Sequence, residues 1–243
     1  MARLEFNAVT VQYPLYDVRA KSLRSRLVRI STGGRIEGGA AGVQMVTALR
    51  DVSFALADGD AVGLVGHNGA GKSTLLRTMA GVYRPVSGQV LREGRTATVF
   101  ELGAGMDSEL SGYENIQRMG LLLGLGHADI RARMAEIEAF TGLGPFLGLP
   151  VRTYSAGMTT RLMFAVATST RPEILLVDEI FGAGDAEFQE KAAQRMEALI
   201  ASVRIFVFAS HDVTALKRYC RRFLRLEHGQ VREIDPAELA PPP

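Results

Sequence analysis

The stretch Gly66-His67-Asn68-Gly69-Ala70-Gly71-Lys72-Ser73-Thr74 lies between an apolar run at 61–65 and a run of helix formers, and no other stretch constrains the chain as strongly. Two glycines with four residues between them, then Lys and Ser, set between a strand and a helix, are the pattern of a loop that wraps a nucleotide's phosphates. Glycine lets the backbone curl around an anion. The amides of 69–73 can then turn inward at a helix N-terminus, where the dipole favours negative charge. In that role Gly66, Asn68, Gly69, Gly71 and Thr74 line the nucleotide, Lys72 neutralises the β- and γ-phosphates, and the Ser73 hydroxyl binds Mg²⁺.

A chain of 243 residues, 47% hydrophobic and 22% charged, can bury a full α/β core and carry a subdomain. Its net charge of +2 argues against both disorder and general nucleic-acid binding. The single cysteine, Cys220, excludes an internal disulfide framework and fits a reducing compartment. The start Met1-Ala2-Arg3-Leu4-Glu5-Phe6 lacks the basic-then-apolar order of a signal peptide, and no segment has the roughly eighteen uninterrupted apolar residues of a membrane helix. The expectation is a soluble protein, or one attached to a membrane from outside.

Residues 4–13 alternate as a strand with Leu4, Phe6, Ala8 and Val11 inward, ended by Pro14. Residues 17–35 carry Arg19, Lys21, Arg24, Arg26, Arg29 and Arg35 against Asp17, with Leu23, Leu27 and Ile30 at helical spacing. That is an amphipathic helix with a basic face, turned either to water or to anionic lipid. With the glycine-rich loop after it, the segment 15–42 forms an insertion. Strands follow at 43–49 and 52–56, a helix at 72–80 stopped by Gly81, and short strands at 89–92 and 97–101 around Gly94.

Helical segments at 113–125, 128–141 and 156–170 suggest a subdomain over 102–171, ahead of core strands at 174–177 and 205–209 with a helix at 186–200 between them. Continuous apolar strands between helices imply a mostly parallel sheet buried on both faces, beside an antiparallel part near the N-terminus. A hairpin turns at His228-Gly229-Gln230, and 236–243 is a tail ending in three prolines. The whole, 1–243, is expected to be one domain with no internal repeat.

Ile174-Leu175-Leu176-Val177-Asp178-Glu179 is an apolar strand ending in two acids. Burial accounts for the first four residues but not for adjacent carboxylates at the C-terminal edge of a parallel strand, where ligands bind. Asp178 is suited to hold Mg²⁺, and Glu179 to orient or deprotonate an attacking water. His211, two residues beyond the strand at 205–209, brings an imidazole to the same kind of edge, within reach of a γ-phosphate. Tyr154-Ser155-Ala156-Gly157-Met158 opens a helix at Ser155, either as a simple cap or as a second anion site.

Together the phosphate loop, the Ser-Ala-Gly helix start, the Asp-Glu strand and His211 resemble the ATPase subunits of ABC transporters, in that family's order and over nearly the whole chain. The resemblance implies a P-loop NTPase core, ATP with Mg²⁺, and two copies paired head to tail. Ser155 and Gly157 of one copy would then contact the γ-phosphate held by the loop of the other. It also implies an adenine-stacking aromatic at Tyr13, with Tyr16 a rival, and a metal-linked side chain at Glu101, where the family usually has glutamine.

The signature, Ser-Ala-Gly-Met, departs from the family's commonest Ser-Gly-Gly-Gln. With Leu110-Ser111-Gly112-Tyr113-Glu114-Asn115-Ile116 and Gly184-Asp185-Ala186-Glu187-Phe188-Gln189, it resembles the branch that exports lipid-linked O-antigen, capsule or teichoic acid. That resemblance implies ABC-2-type transmembrane permease partners and a place on the cytoplasmic face of the bacterial inner membrane, without nucleic acid. The alternatives are an ABC ATPase of another transporter type, a non-transport ABC protein, or a scaffold with degenerate catalysis. Members that carry a further carbohydrate-binding domain are longer than this chain.

Overall fold

The computed structural model describes residues 1–15, 36–38, 44–99, 103–178 and 186–239. The expected basic helix, Tyr16, Glu101 and Glu179 lie outside the described residues. The chain divides into two compact units, Met1–Gly94 with Val207–Pro243, and Arg95–Phe206.

The first unit is built on an antiparallel sheet in the order β2-β3-β1-β5, from β1 (Arg3–Leu15), β2 (Ile36–Gly38), β3 (Gln44–Ala57) and β5 (Ser87–Glu93). The expected alternation of β1 holds for Leu4, Phe6 and Val11, which are buried, and fails at Ala8. A register shift between Phe6 and Val9 turns Ala8 outward with φ 50°, and Val9 takes the inward position instead. A bulge adds one residue to the strand and thereby flips the pattern, which alternation alone does not reveal.

Pro14 does not end β1 either, since Pro14 pairs with Met45 and the strand runs to Leu15. The β5 side of β1 is paired only as far as Thr10 among the described residues. Beyond that point the proline sits at a sheet edge, where a missing N–H is tolerated. The two strands expected around 43–56 are one, β3, kinked at Asp51 (φ 51°), whose amide donates to the Thr10 hydroxyl at 3.2 Å.

The same unit holds β4 (Ala61–Val65), α1 (Lys72–Ala80) and the hairpin β9 (Arg222–Glu227) with β10 (Gln230–Ile234). β4 runs parallel to β9, with Val62 opposite Arg222 and Val65 opposite Arg225. Gly63 is required there by packing, because a Cβ on it would lie 2.8 Å from a Phe223 ring carbon. The hairpin turns at His228 (φ 50°) and Gly229 (φ 80°), as expected of a tight two-residue turn. One helix escaped the sequence reading, α6 (Val213–Tyr219), whose signal is Asp212, a cap accepting from the amides of Thr214 and Ala215.

The second unit pairs β6 (Thr96–Val99) in parallel with β7 (Ile174–Asp178), Val99 lying opposite Val177. β5 and β6 flank the Gly94 turn but do not pair with each other; β5 joins β1 instead. Four helices follow the expected segments, α2 (Gly112–Leu122), α3 (His127–Thr141), α4 (Ala156–Ala167) and α5 (Ala186–Ser202). Ile116, Ile130, Ile137, Leu147 and Leu162 are at the centre of their core. Strand β8 (Ile205–Ala209) spans the boundary between the units and is buried along its length. Among the described residues no helix is long and apolar enough to cross a membrane.

Arg222 at the start of β9 donates to Asp60 Oδ2 at 2.8 Å and, as a fork, to both carboxylate oxygens of Glu233 at 2.8 and 3.0 Å. Its hydrogen bonds hold the Glu233 carboxyl below the usual glutamate range. A group that binds its proton less readily folded than unfolded contributes stability above its ordinary pKa and loses it as pH falls through the lowered folded value. Because Glu233 is half exposed, Arg222→Ala is expected to cost only about 1 kcal/mol at neutral pH, with the difference from the parent shrinking below about pH 4 in urea unfolding.

Candidate functional site

The chain leaves β4 at Val65 and reaches α1 at Lys72 through a turn that only glycine can make at its two ends. Gly66 has φ 156°, and a Cβ there would sit 2.5 Å from the Leu226 carbonyl oxygen; Gly71 has φ 116° and faces the Ala48 carbonyl at 3.0 Å. Between them Ala70 N donates to His67 O at 3.0 Å, and Leu75 N to Gly71 O at 2.8 Å starts the helix. Gly71 caps α1 without a side-chain bond. Gly69, with φ 77°, has no heavy atom within 4 Å of an added Cβ, so its glycine answers to backbone conformation alone.

Lys72 is buried at 9% exposure, and its ammonium is held by the loop itself, donating to Gly66 O at 2.5 Å and His67 O at 3.3 Å. His211 Nε2 lies 3.4 Å from the same nitrogen. The imidazole expected near the phosphates is therefore brought to the loop's lysine across a sequence separation of 139 residues. Ser210, buried, accepts from the Asp212 amide at 3.0 Å, fixing the backbone on either side of His211.

Ser73 is exposed at the start of α1, and Thr74 accepts the Thr78 hydroxyl on its carbonyl at 2.7 Å. Asn68 is exposed, and its carbonyl faces His67 Nδ1 at 2.8 Å. Tyr13 sits on β1 opposite Val46 and is 41% exposed. Asp178 is the last residue of β7, half-buried after four fully buried ones.

Ser155 and Gly157 lie in the second unit. Ser155 is exposed and caps α4 by accepting from Met158 N at 3.2 Å. The nearest atom to an added Cβ at Gly157 is Ser155 Oγ at 3.9 Å, an ordinary contact. Among the described residues packing therefore leaves room for alanine, which favours a helix by about 1 kcal/mol over glycine. Met158, in place of the commoner glutamine, packs on the helical core.

What holds this helix start was not foreseen. Tyr154 donates its hydroxyl to Phe146 O at 2.7 Å, and Gly112 makes room for it, since a Cβ there would lie 2.5 Å from that hydroxyl. Fully buried Asn115 accepts from Asp107 N at 2.8 Å and donates to the carbonyls of Asp107, Leu110 and Ser111 at 2.9–3.2 Å. Val151 N and Arg152 N bond back to Leu110 O and Ser108 O, both at 2.9 Å, so the loop before α2 and the segment before Ser155 are one hydrogen-bonded piece. The sequence signal was Ser111 with Glu114, a reciprocal cap on α2.

A family model described as ABC transporter matches residues 49–182. The chain is 64% identical, over 96% of its length and 98% of the relative's, to the O-antigen export system ATP-binding protein RfbE of Yersinia enterocolitica. It is 37% identical, over 97% of its length and 94% of the relative's, to the O-antigen export system ATP-binding protein RfbB of Klebsiella pneumoniae. Among solved structures it resembles a dimeric ATP-binding cassette bound to ADP and Pi in a post-hydrolysis state, with a TM-score of 0.67 at 21% identity over 96% of this chain and 98% of that one. At that identity the likeness is one of fold.

The steric contrast within the loop is testable. Gly66→Ala must displace a strand carbonyl and is expected to cost about 3 kcal/mol, whereas Gly69→Ala pays only backbone strain of about 1 kcal/mol. Urea unfolding of the two variants against the parent measures the difference.

Proposed function

The chain belongs to the ABC transporter family, and from that membership we propose that it is the ATP-hydrolysing subunit of an exporter of lipid-linked O-antigen. The observation that carries the export reading is the near-full-length identity with the Yersinia subunit. The Lys72–His211 convergence on the loop supports nucleotide hydrolysis at this site.

The residues fit ATP with Mg²⁺. A loop that curls at three positive-φ glycines and holds a buried lysine suits a triphosphate, and the exposed Ser73 hydroxyl with the half-buried Asp178 carboxylate are oxygen donors of the kind Mg²⁺ prefers. Glu101 would add a third oxygen donor. Bound Mg²⁺ would supply positive charge against the developing charge on the phosphates.

In this reading Lys72 neutralises phosphate charge from a position its own loop carbonyls fix, so little reorganisation accompanies binding. Glu179 would orient or deprotonate the attacking water, and His211 would hydrogen-bond the γ-phosphate. Tyr13 offers an exposed ring for the adenine. Asn68, Gly69 and Thr74 line the phosphates.

Ser155 and Gly157 serve the nucleotide of a second copy. The exposed serine and the packing-free glycine at the first turn of α4 support that role, because a helix N-terminus without a Cβ lets a phosphate approach its amides. ATP closes the pair, the closed pair drives transmembrane permease subunits at the cytoplasmic face of the inner membrane, and hydrolysis reopens it. The basic segment 17–35 faces anionic headgroups of that membrane.

Glu179→Gln is expected to keep ATP binding and to lower turnover at least a hundredfold, trapping an ATP-dependent dimer in gel filtration. A variant that turns over at the parent's rate removes the assigned role. Changing Arg24, Arg26 and Arg29 together to Glu is expected to weaken binding to anionic vesicles at low salt. Unchanged vesicle binding refutes the lipid contact and leaves the ATPase reading intact.

A further inference from the structure

The chain has four histidines, and one of them, His67, lies inside the phosphate loop. Its ring meets that of His228, from the turn between β9 and β10, with the ring centres 5.8 Å apart and the planes tilted by 58°. Both side chains are exposed, and both belong to the first unit. Neither imidazole has a part in the nucleotide chemistry described above.

Burial does not bring these rings together, since water reaches both. The backbone does. His67 O accepts from Ala70 N at 3.0 Å and from Lys72 Nζ at 3.3 Å, which fixes the loop beneath the first ring. The turn beneath the second is held by Arg50 N, which donates to Gly229 O at 2.8 Å, and by the close fit of Leu226 O against Gly66. Two imidazoles are thus set side by side by elements that the fold holds in register.

The hydrogen bonding of His67 adds an independent observation. Its Nδ1 lies 2.8 Å from Asn68 O, and a carbonyl can only accept, so the neutral ring carries its proton on Nδ1 and its lone pair on Nε2. An N–H tied to a backbone carbonyl, with the other nitrogen unprotonated, is the arrangement that prepares a histidine to bind a metal.

We propose that His67 and His228 form a two-imidazole site for a borderline divalent transition ion, represented by Zn²⁺, separate from the Mg²⁺ of the nucleotide. Imidazole nitrogen suits Zn²⁺ and its neighbours, whereas Mg²⁺ prefers oxygen. Two imidazoles on one tetrahedral ion, with Zn–N bonds of about 2.0–2.1 Å, place their ring centres about 5 Å apart. The observed 5.8 Å is a little wider, a gap that two exposed side chains can close. Among the described residues no group of three histidine, cysteine or carboxylate ligands gathers, so water completes the coordination. An ion held there clips the phosphate loop to the β9–β10 turn. The inference does not rest on the export reading.

Proton NMR of the full chain tests it, because four histidines give few imidazole signals. Each is assigned by its loss in His67→Gln, His127→Gln, His211→Gln or His228→Asn. One equivalent of Zn²⁺, without nucleotide, is expected to shift or broaden the His67 and His228 signals together and to leave those of His127 and His211 in place, and Mg²⁺ to move none of the four. Asparagine tolerates the positive φ of position 228, so His228→Asn keeps the turn while removing a ligand. By isothermal titration it is expected to weaken Zn²⁺ binding at least tenfold, as is His67→Gln, which decides the matter if the other variant does not fold.

A parent whose His67 and His228 signals ignore Zn²⁺ overturns the proposal, as does a response of only one of them or a shift centred on His211 or His127. So does a His228→Asn chain that binds Zn²⁺ within twofold of the parent. ATP hydrolysis by a parent that fails these tests leaves the proposed function standing and removes this inference alone.

Discussion

The tight backbone turn from β4 into α1 is the constraint on which the rest depends. An extended strand must reverse into a helix within the residues 66–71 while two neighbouring carbonyls, Leu226 O and Ala48 O, press on it from outside. Side chains at Gly66 and Gly71 would meet those oxygens, so the glycines, the register of β4 on β9 and the position of β3 are one solution. The turn His228-Gly229 belongs to it as well. Arg50 N donates to Gly229 O at 2.8 Å, and a Cβ on Gly229 would lie 2.7 Å from Ala48 O. The loop is therefore a cradle built from three strands as well as a motif.

Charge follows from that geometry. Burying an ammonium is costly unless it is hydrogen-bonded, and Lys72 finds its acceptors on the carbonyls of the turn that precedes it. The lysine is thereby aimed before any ligand arrives, and His211, whose backbone is set between Ser210 and the Asp212 cap, comes to the same nitrogen. In the second unit the equivalent work is done by an uncharged network. Asn115 satisfies every one of its side-chain groups on the loop at 107–111, and that loop holds the 3-10 turn Val151–Thr153 that leads into Ser155. By contrast Cys220, the only thiol, is buried, with its pKa pushed up to about 12 by desolvation, which keeps it a neutral thiol at ordinary pH.

Much of the fold was legible because local rules and tertiary packing agree. Helix α1 begins and ends where Lys72 and Gly81 predict, β7 and β8 are the uninterrupted apolar runs, and Ser155 caps α4 as its residue type suggests. The sequence reading failed where a long-range contact overrides a local signal. Ala8 turned outward because β1 carries a bulge opposite β3, and Pro14 continued a strand because, among the described residues, the β5 side of β1 is unpaired beyond Thr10. The bonds of Tyr154 and Asn115 went unread because they run to backbone carbonyls, Phe146 O and those of Leu110 and Ser111, and residue type along the chain does not say which carbonyl a side chain will meet.

The sequence by itself determined the phosphate loop, the order of motifs and, with them, the family, since these rest on residue types at fixed spacing along one chain. Tertiary structure decided what spacing cannot express. It brought His211 to Lys72, and it made Gly66 and Gly71 obligatory through the carbonyls of Leu226 and Ala48. It also set the ring of His228 beside that of His67. The physical reason is the same in each case: a carbonyl that blocks a Cβ, or a ring that meets another, comes from a distant part of the chain, and only folding fixes its distance.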